Sequence, residues 1–462
     1  MRAPDRFRRL GREAQREGRL PSLCAAVFRA GEIAWTDAVG VADVEARADA
    51  TPDTQYAIAS ITKTFTAAAV MQLRDEGRLD LDDPLSRHLP DVAHPTLTLR
   101  RILSHLSGLQ REPPGEIWET LEFPGEEELL ERLGEAEQVL AGGAAWHYSN
   151  LAYALLGQVV ERVSGVSFRD YVGGRLLRPL GLERTSWGPA PPAARPYFVE
   201  PYADSVRREP ELGLGGKGGE SGLYSTVRDL ARWGGFLCDP DEAVLRTSSV
   251  AEMHGVQVMA EPDWSRAWGL GLELWRRGER IFGGHTGGFP GFVSMLVYSR
   301  RERIGAVLLT NSSGWPKMTD TGLALVEAAL EELAPAPEAW SPEEPAPPEI
   351  LPLLGRWWSE GAETIFSWRQ GRLEARLANA PPAREPSVFE PEGEDRFRTV
   401  SGRERGELLR VVRDADGGVT KLYWATYPFT RAPEVFGATA ERATPTRADA
   451  SMAARADAHD AT

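Results

Sequence analysis

Ser60 and Lys63, in the stretch YAIASITKTF (56–65), stand one helical turn apart in a chain with 49 arginines and only four lysines. At that spacing two side chains leave the same side of a helix and come within reach of each other. A serine hydroxyl is a weak nucleophile at neutral pH, and a neighbouring amine kept neutral by burial or nearby charge can take its proton. The pair therefore has the chemistry of acyl transfer. The bland alternative is a helix-capping serine beside a solvated lysine, and composition alone gives Ser-x-x-Lys in roughly one chain in five.

A second group is Tyr148-Ser149-Asn150, on the loop before an apolar helical pattern over 151–163 that ends near Gly165. The Tyr148 phenol can relay a proton, and the Asn150 amide can hold both the lysine and a substrate carbonyl. Asn150 as a mere N-cap is an even alternative in isolation. With three asparagines and ten tyrosines in the chain, a chance Tyr-x-Asn is expected in under about one chain in ten.

The third group lies in GGHTGGFPGFVSMLVYSRRERIGAVLLTN (283–311). Residues 292–299 and 304–310 read as a hairpin, with the glycine-rich segment at the rim of its first strand. Glycines there let the backbone approach a ligand. The N–H after Thr286-Gly287, that of Gly288, is a candidate oxyanion donor, with the Ser60 N–H as the other. Glycines on both sides of His285 favour a site residue over a packed core histidine.

These groups need elements to hold them. Ile61, Phe65, Ala69 and Leu73 recur every four residues before Gly77, which predicts a helix over 60–76 buried on one face. Residues 1–19 read as an amphipathic helix, and PSLCAAVF followed by RAGEIAW as strand, Ala30-Gly31 turn and strand. Domain boundaries follow from composition: a hydrolase-like region over 1–334, a proline-rich linker over 335–352 and a small all-β module over 353–436. The Ala- and Thr-rich tail, 437–462, reads as disordered. In the β module, TIFSW and RLEARL form one hairpin, and LLRVVRD and VTKLYWATY another.

Bulk properties narrow the function. A formal charge of −15 and a pI near 5.2 argue against nucleic acid or an anionic membrane as partner. Two cysteines, Cys24 and Cys238, allow neither a disulfide framework nor a cysteine-rich metal site. With no apolar run long enough to cross a bilayer and no cleavable leader, the expected location is the cytoplasm. His105 in SHLSGL reads as a loop-bracing residue, and the acidic run 125–137 as a solvated helix face with no metal.

In order and content, Ser-x-x-Lys, Tyr-x-Asn and His-Thr-Gly resemble the serine β-lactamase and penicillin-binding superfamily, closest to its class C-like branch with esterase and D-amino-acid peptidase relatives. GRLDLDDPLSRHLPD (77–91), ILSHLSGL (102–109) and GGESGLYSTVRDLARW (218–233) are similar to the same branch. The resemblance implies an α/β (α+β) fold: an antiparallel sheet flanked by helices, plus an all-helical lobe. The C-terminal module is similar to the small lipocalin-like barrel of some relatives. It also implies Ser60 as the acylated nucleophile, Lys63 and Tyr148 as the proton-handling pair, and Asn150 as the group that positions the substrate amide. Ser60 and Gly288 N–H groups would hold the oxyanion, and no cofactor or metal is called for. His285 replaces the usual lysine of a Lys-Thr-Gly triplet, which tilts the expectation from carboxylate-bearing β-lactams toward small esters and amides or peptides. The 218–221 loop is expected to border the cleft, with Glu220 near substrate. The rival readings are an acyl-trapping, penicillin-binding sensor without turnover and, less favoured, a cell-wall transpeptidase.

Overall fold

A computed structural model of the chain describes residues 3–435 except 91, 212–218, 220, 334–339, 343 and 382–383. The expected roles of Gly218 and Glu220, and the tail from 437 onward, fall outside the described residues. Two compact units, Met1–Ala336 and Pro337–Thr462, divide the molecule.

The first unit is built on a nine-stranded antiparallel sheet. Its centre is formed by Glu32–Asp43, Ser22–Arg29, Ile304–Thr310, Phe292–Ser299 and Arg280–Phe289, side by side in that order. Strands read as unbroken apolar runs because both faces are covered. Along Ser22–Arg29, Leu23, Ala25 and Val27 join one core with the helices Ala3–Gly18 and Met318–Leu333. Cys24, Ala26 and Phe28 alternate to the opposite core, as period-two side chains must. That second core takes in the helices Thr62–Asp75, Asn150–Ser164 and Val227–Cys238. The sequence reading placed the glycine-rich 283–289 segment at a strand rim. It is itself the second half of the Arg280–Phe289 strand, in register with 292–299 from Gly283 opposite Tyr298 to Phe289 opposite Phe292.

The Thr62–Asp75 helix is buried from Thr62 through Leu73, far more than one apolar face. Polar side chains on its other faces are bonded instead of solvated. Thr64 accepts from the Trp233 indole at 2.8 Å, Gln72 donates to the Val244 carbonyl at 2.7 Å, and Phe65 stacks on Trp233 at 3.9 Å. Helix Val227–Cys238 approaches the hairpin turn at Ala30-Gly31 backbone to backbone. A Cβ on Gly235 would lie 2.2 Å from the Gly31 Cα, a contact only a shift of main chain relieves. Gly235→Ala is expected to cost about 1–3 kcal/mol by overpacking, read as a lower urea midpoint at unchanged m.

The second unit is a nearly closed, eight-stranded antiparallel barrel. Its first and last strands meet where Trp358 and Thr430 exchange backbone hydrogen bonds of 2.8 and 3.0 Å. Trp357, Phe366, Phe389, Leu409 and Leu422 fill its interior. Ile350, placed by composition in the proline-rich linker, is buried in this core. The single strand expected through VTKLYWATY is two, Val419–Trp424 and Tyr427–Phe429. The chain reverses at Ala425 and Thr426, both at positive φ (47° and 71°), without the glycine that normally signals such a turn.

Candidate active site

Ser60 sits on a short 3-10 turn, Ala59–Ile61, that runs directly into the Thr62–Asp75 helix. It is therefore not in the first turn of the α-helix, and no side chain caps either element, so the capping alternative does not hold. The residue before it, Ala59, is held at φ 46°. For a residue with a Cβ this left-handed conformation costs about 1–2 kcal/mol, and it turns the serine toward the cleft.

Lys63 is fully buried, and its Nζ donates to Ser60 Oγ at 3.1 Å and to Asn150 Oδ1 at 2.8 Å. The Lys63 nitrogen also lies over the Tyr148 and Tyr153 rings, 5.1 and 5.6 Å from their centroids. The Tyr148 hydroxyl shares a hydrogen bond with Ser60; burial pushes this phenol up, and that bond pulls it partly back. Two sequence-distant segments, 60–63 and 148–150, thus meet at one hydroxyl.

Their placement has local causes. Ser149, not Asn150, is the N-cap of Asn150–Ser164, its Oγ accepting from the Ala152 N–H at 3.0 Å. That leaves Asn150 as the first helical residue, free to turn its amide to the site. Its Oδ1 takes the lysine while its Nδ2 donates to Glu112 Oε1 at 2.7 Å, which fixes the amide's orientation from both ends. His105 braces the segment that carries Tyr148. Its Nδ1 accepts from the Ser149 N–H at 3.2 Å, its carbonyl from the His147 N–H at 2.8 Å, and its ring stacks on Tyr148 at 4.2 Å.

The Arg280–Phe289 strand closes the other side. A Cβ on Gly287 would stand 2.2 Å from the Ile58 carbonyl oxygen and 2.3 Å from Ser294 Oγ. Only a glycine lets this strand lie against the turn that carries Ser60. Ser294 Oγ ties the two by donating to the Ile58 carbonyl at 2.9 Å. At Gly288 an added Cβ would meet nothing within 4 Å, so its backbone faces open space.

A cavity of about 330 Å³ is lined by Ser60, Tyr148, Asn150, Thr286 and Gly288. His285 does not line it. The histidine is buried on the same face of the strand as Gly287, its ring centroid 6.5 Å from that of Tyr148, with its Nδ1 2.5 Å from the Thr286 carbonyl oxygen and its Nε2 without a hydrogen-bond partner among the described residues. Burial first, and the Lys63 charge second, depress it to about 3, so it is neutral at pH 7. Ser221, from the loop expected to border the cleft, also lines the cavity; sequence reasoning missed the other wall residues, Arg111, Glu112, Trp118, Trp146, Arg266 and Phe289. Arg266 is paired at 2.6 Å with buried Glu273, which accepts at 3.0 Å from Thr286 Oγ1. No spacing announces this chain of contacts, because each link joins different strands. Among the described residues there is no cluster of three metal-ligating side chains, and no helix is long and apolar enough to cross a membrane.

Buried neutral histidines give stability a pH dependence. His254 is depressed to about 4 and His105 well below its usual value, both chiefly by burial. Below the unfolded value near 6.5, the unfolded chain takes protons that the folded chain refuses, so stability falls as pH drops toward 4. Each histidine contributes about 1.4 kcal/mol per pH unit in that window. Buried Glu273 and Asp229, raised by burial, act in the opposite direction and soften the loss. Urea unfolding is expected to give a lower free energy at pH 5.0 than at 7.5. His285→Gln should shrink that difference by about 2 kcal/mol; an unchanged difference would show His285 protonated in the folded state.

Fold and site together define a member of the serine β-lactamase and penicillin-binding superfamily. The Beta-lactamase family model matches residues 7–331, and the chain belongs to that family. A domain of unknown function, DUF7586, matches 346–431. Protein flp of Staphylococcus aureus (strain N315) is 26% identical over 323 residues, 66% of this chain and 62% of flp. The chain thus spans under two thirds of that relative's length. A D-stereospecific amidohydrolase from Streptomyces sp. superposes with TM-score 0.61 at 26% identity, covering 70% of this chain and 98% of that one. The octameric penicillin-binding protein homologue from Pyrococcus abyssi shares the fold, with TM-score 0.63 and 24% identity over 92% of this chain and 99% of its own.

Proposed function

We propose that the chain is a serine hydrolase that acts through a Ser60 acyl-enzyme on small esters or amides, of the esterase or D-amino-acid amidase and peptidase type. The observation that carries this reading is the Lys63 amine 3.1 Å from Ser60 Oγ, in a site closed to water around that amine. Burial disfavours a charged amine, the condition under which it accepts a hydroxyl proton. Ser60 Oγ then bonds to the carbonyl carbon as its proton passes to Lys63. Burial keeps Tyr148 a phenol, which suits it to donate toward the leaving oxygen or nitrogen and to be reprotonated from Lys63. Collapse expels the alcohol or amine, and water attacking the ester carbon returns the acid and free Ser60. The Ser60 and Gly288 N–H groups are assigned to the carbonyl oxygen.

Two facts favour this substrate class over carboxylate-bearing β-lactams. His285, standing where a β-lactamase has a lysine, is buried and neutral, and the Streptomyces relative is named for D-stereospecific amide hydrolysis. The deciding experiment compares p-nitrophenyl esters, D-amino-acid amides and a cephalosporin on wild type and Ser60→Ala. Sustained release from an ester or D-amide, lost in the variant, is expected. A single burst equal to the enzyme concentration would make the protein an acyl-trapping sensor instead.

A further inference from the structure

Thr286 has a partner that settles which way its hydroxyl proton points. The pairing of Glu273–Arg277 with Arg280–Phe289 ends where Glu273 stands opposite Gly284. Thr286, two residues on, is the next position on that face of the strand and the diagonal neighbour of Glu273. Glu273 is buried, and its side chain takes the Arg266 guanidinium at 2.6 Å and the Thr286 hydroxyl at 3.0 Å. Burial raises this carboxyl, while the Arg266 charge and the Thr286 hydroxyl and N–H pull it back. An arginine keeps its charge, and a carboxylate held against it is ionised and can only accept. The Thr286 proton is therefore committed to Glu273, and its Oγ1 turns lone pairs to the active-site cavity that Thr286 lines. The arginines of the cavity wall are balanced as well, Arg266 by Glu273 and Arg111 by Glu112 at 3.7 Å.

We propose that Thr286 and Glu273 select a leaving group that is neutral and carries an N–H, such as a carboxamide, over one that ends in a carboxylate. This rests on the Ser60 acyl-enzyme reading and names the substrate class for it. In that mechanism Tyr148 donates to the leaving atom. His285, the neighbour of Thr286, packs with its ring 6.5 Å from that of Tyr148, so the leaving group runs from Tyr148 toward Thr286. Strand spacing puts Thr286 about 6.5 Å from Gly288, which is assigned to the carbonyl oxygen. A group three or four bonds beyond the scissile carbonyl covers that span. An N–H there donates to Thr286 Oγ1. A carboxylate there meets an acceptor with no proton to share, and leaving both unpaired discriminates more strongly than one lost bond. Glu273 touches no substrate atom and is a positioning residue.

The test uses three butyrate esters that differ only in the alcohol: glycolamide, N,N-dimethylglycolamide and glycolate. Acid release is followed on the full chain, with p-nitrophenyl butyrate as the measure of acyl transfer itself. The glycolamide ester is expected to exceed the dimethyl ester in kcat/KM by about fivefold, the worth of one hydrogen bond, and the glycolate ester by at least about twentyfold. Thr286→Val should bring the glycolamide and dimethyl esters within about twofold of each other. A ratio that persists there comes from bulk and overturns the proposal. The Glu273→Gln amide can donate to Thr286 Oγ1 and release its proton to the cleft, so the glycolate ester should gain at least about fivefold on the glycolamide ester. A merely structural Glu273 would slow all three esters together and leave that ratio unmoved, which overturns its positioning role. Should Glu273→Gln fail to give a wild-type circular dichroism spectrum, the Thr286→Val ratio decides. Turnover of p-nitrophenyl butyrate with the glycolate ester preferred overturns this inference alone. No turnover of any of the four esters overturns the Ser60 reading and this inference with it.

Discussion

Lys63→Met is expected to lower kcat by about 10³- to 10⁴-fold, the upper range for removing a positioned base, with only about 1–3 kcal/mol of stability lost. Methionine keeps the apolar stem that packs against Tyr148 and Tyr153 and removes only the amine bonded to Ser60 and Asn150. Its loss leaves Asn150 Oδ1 without its donor, at a cost of about 1–3 kcal/mol. Ester turnover should therefore fall by far more than this modest loss of stability accounts for. A lysine that merely supports the fold would lower the thermal midpoint and leave turnover within about tenfold of wild type.

Gly287→Ala is the second large effect. Its methyl group would stand 2.2 Å from the Ile58 carbonyl oxygen and 2.3 Å from Ser294 Oγ. Relief requires the 280–289 strand to move away from the turn that carries Ser60. A displacement near 1 Å at a reacting centre costs about 100-fold, and a drop of that order in kcat/KM is expected, with about 1–3 kcal/mol of stability lost to overpacking. Gly288→Ala is the control for stability, because its methyl group meets nothing within 4 Å. Equal destabilisation by the two substitutions would remove the steric explanation.

How much of this was legible in the sequence depended on the range of each interaction. Ser60 and Lys63 were readable because a helical period alone puts them on one side, and the 3-10 start preserves that geometry. The 292–299 and 304–310 hairpin was readable because alternation and a polar turn are local signals. Asn150 was recognised as a site residue, but the cap belongs to Ser149; adjacent Ser and Asn are equally good caps, and only the tertiary pull of Lys63 and Glu112 separates them. His285 looked like a cleft residue because glycines flank it. Strand alternation puts it on the Gly287 face, packed near Tyr148 and closed off from the cavity that Thr286 lines, a parity that becomes visible only once the segment is known to be a strand. Glu112, Arg266 and Glu273 carried no signal, since their partners lie 38, 7 and 13 residues away on other elements. In the barrel, the split at Ala425-Thr426 was hidden because neither residue advertises a positive φ.

The central claim is that Ser60 becomes covalently acylated with Lys63 at its side. Acid-quenching the chain within its first turnovers of a p-nitrophenyl ester, followed by peptide mass analysis, tests it most directly. The account predicts one acyl group on the peptide containing Ser60, absent from Ser60→Ala and strongly slowed in Lys63→Met. Undiminished turnover by Ser60→Ala, or an adduct on any other residue, would contradict it.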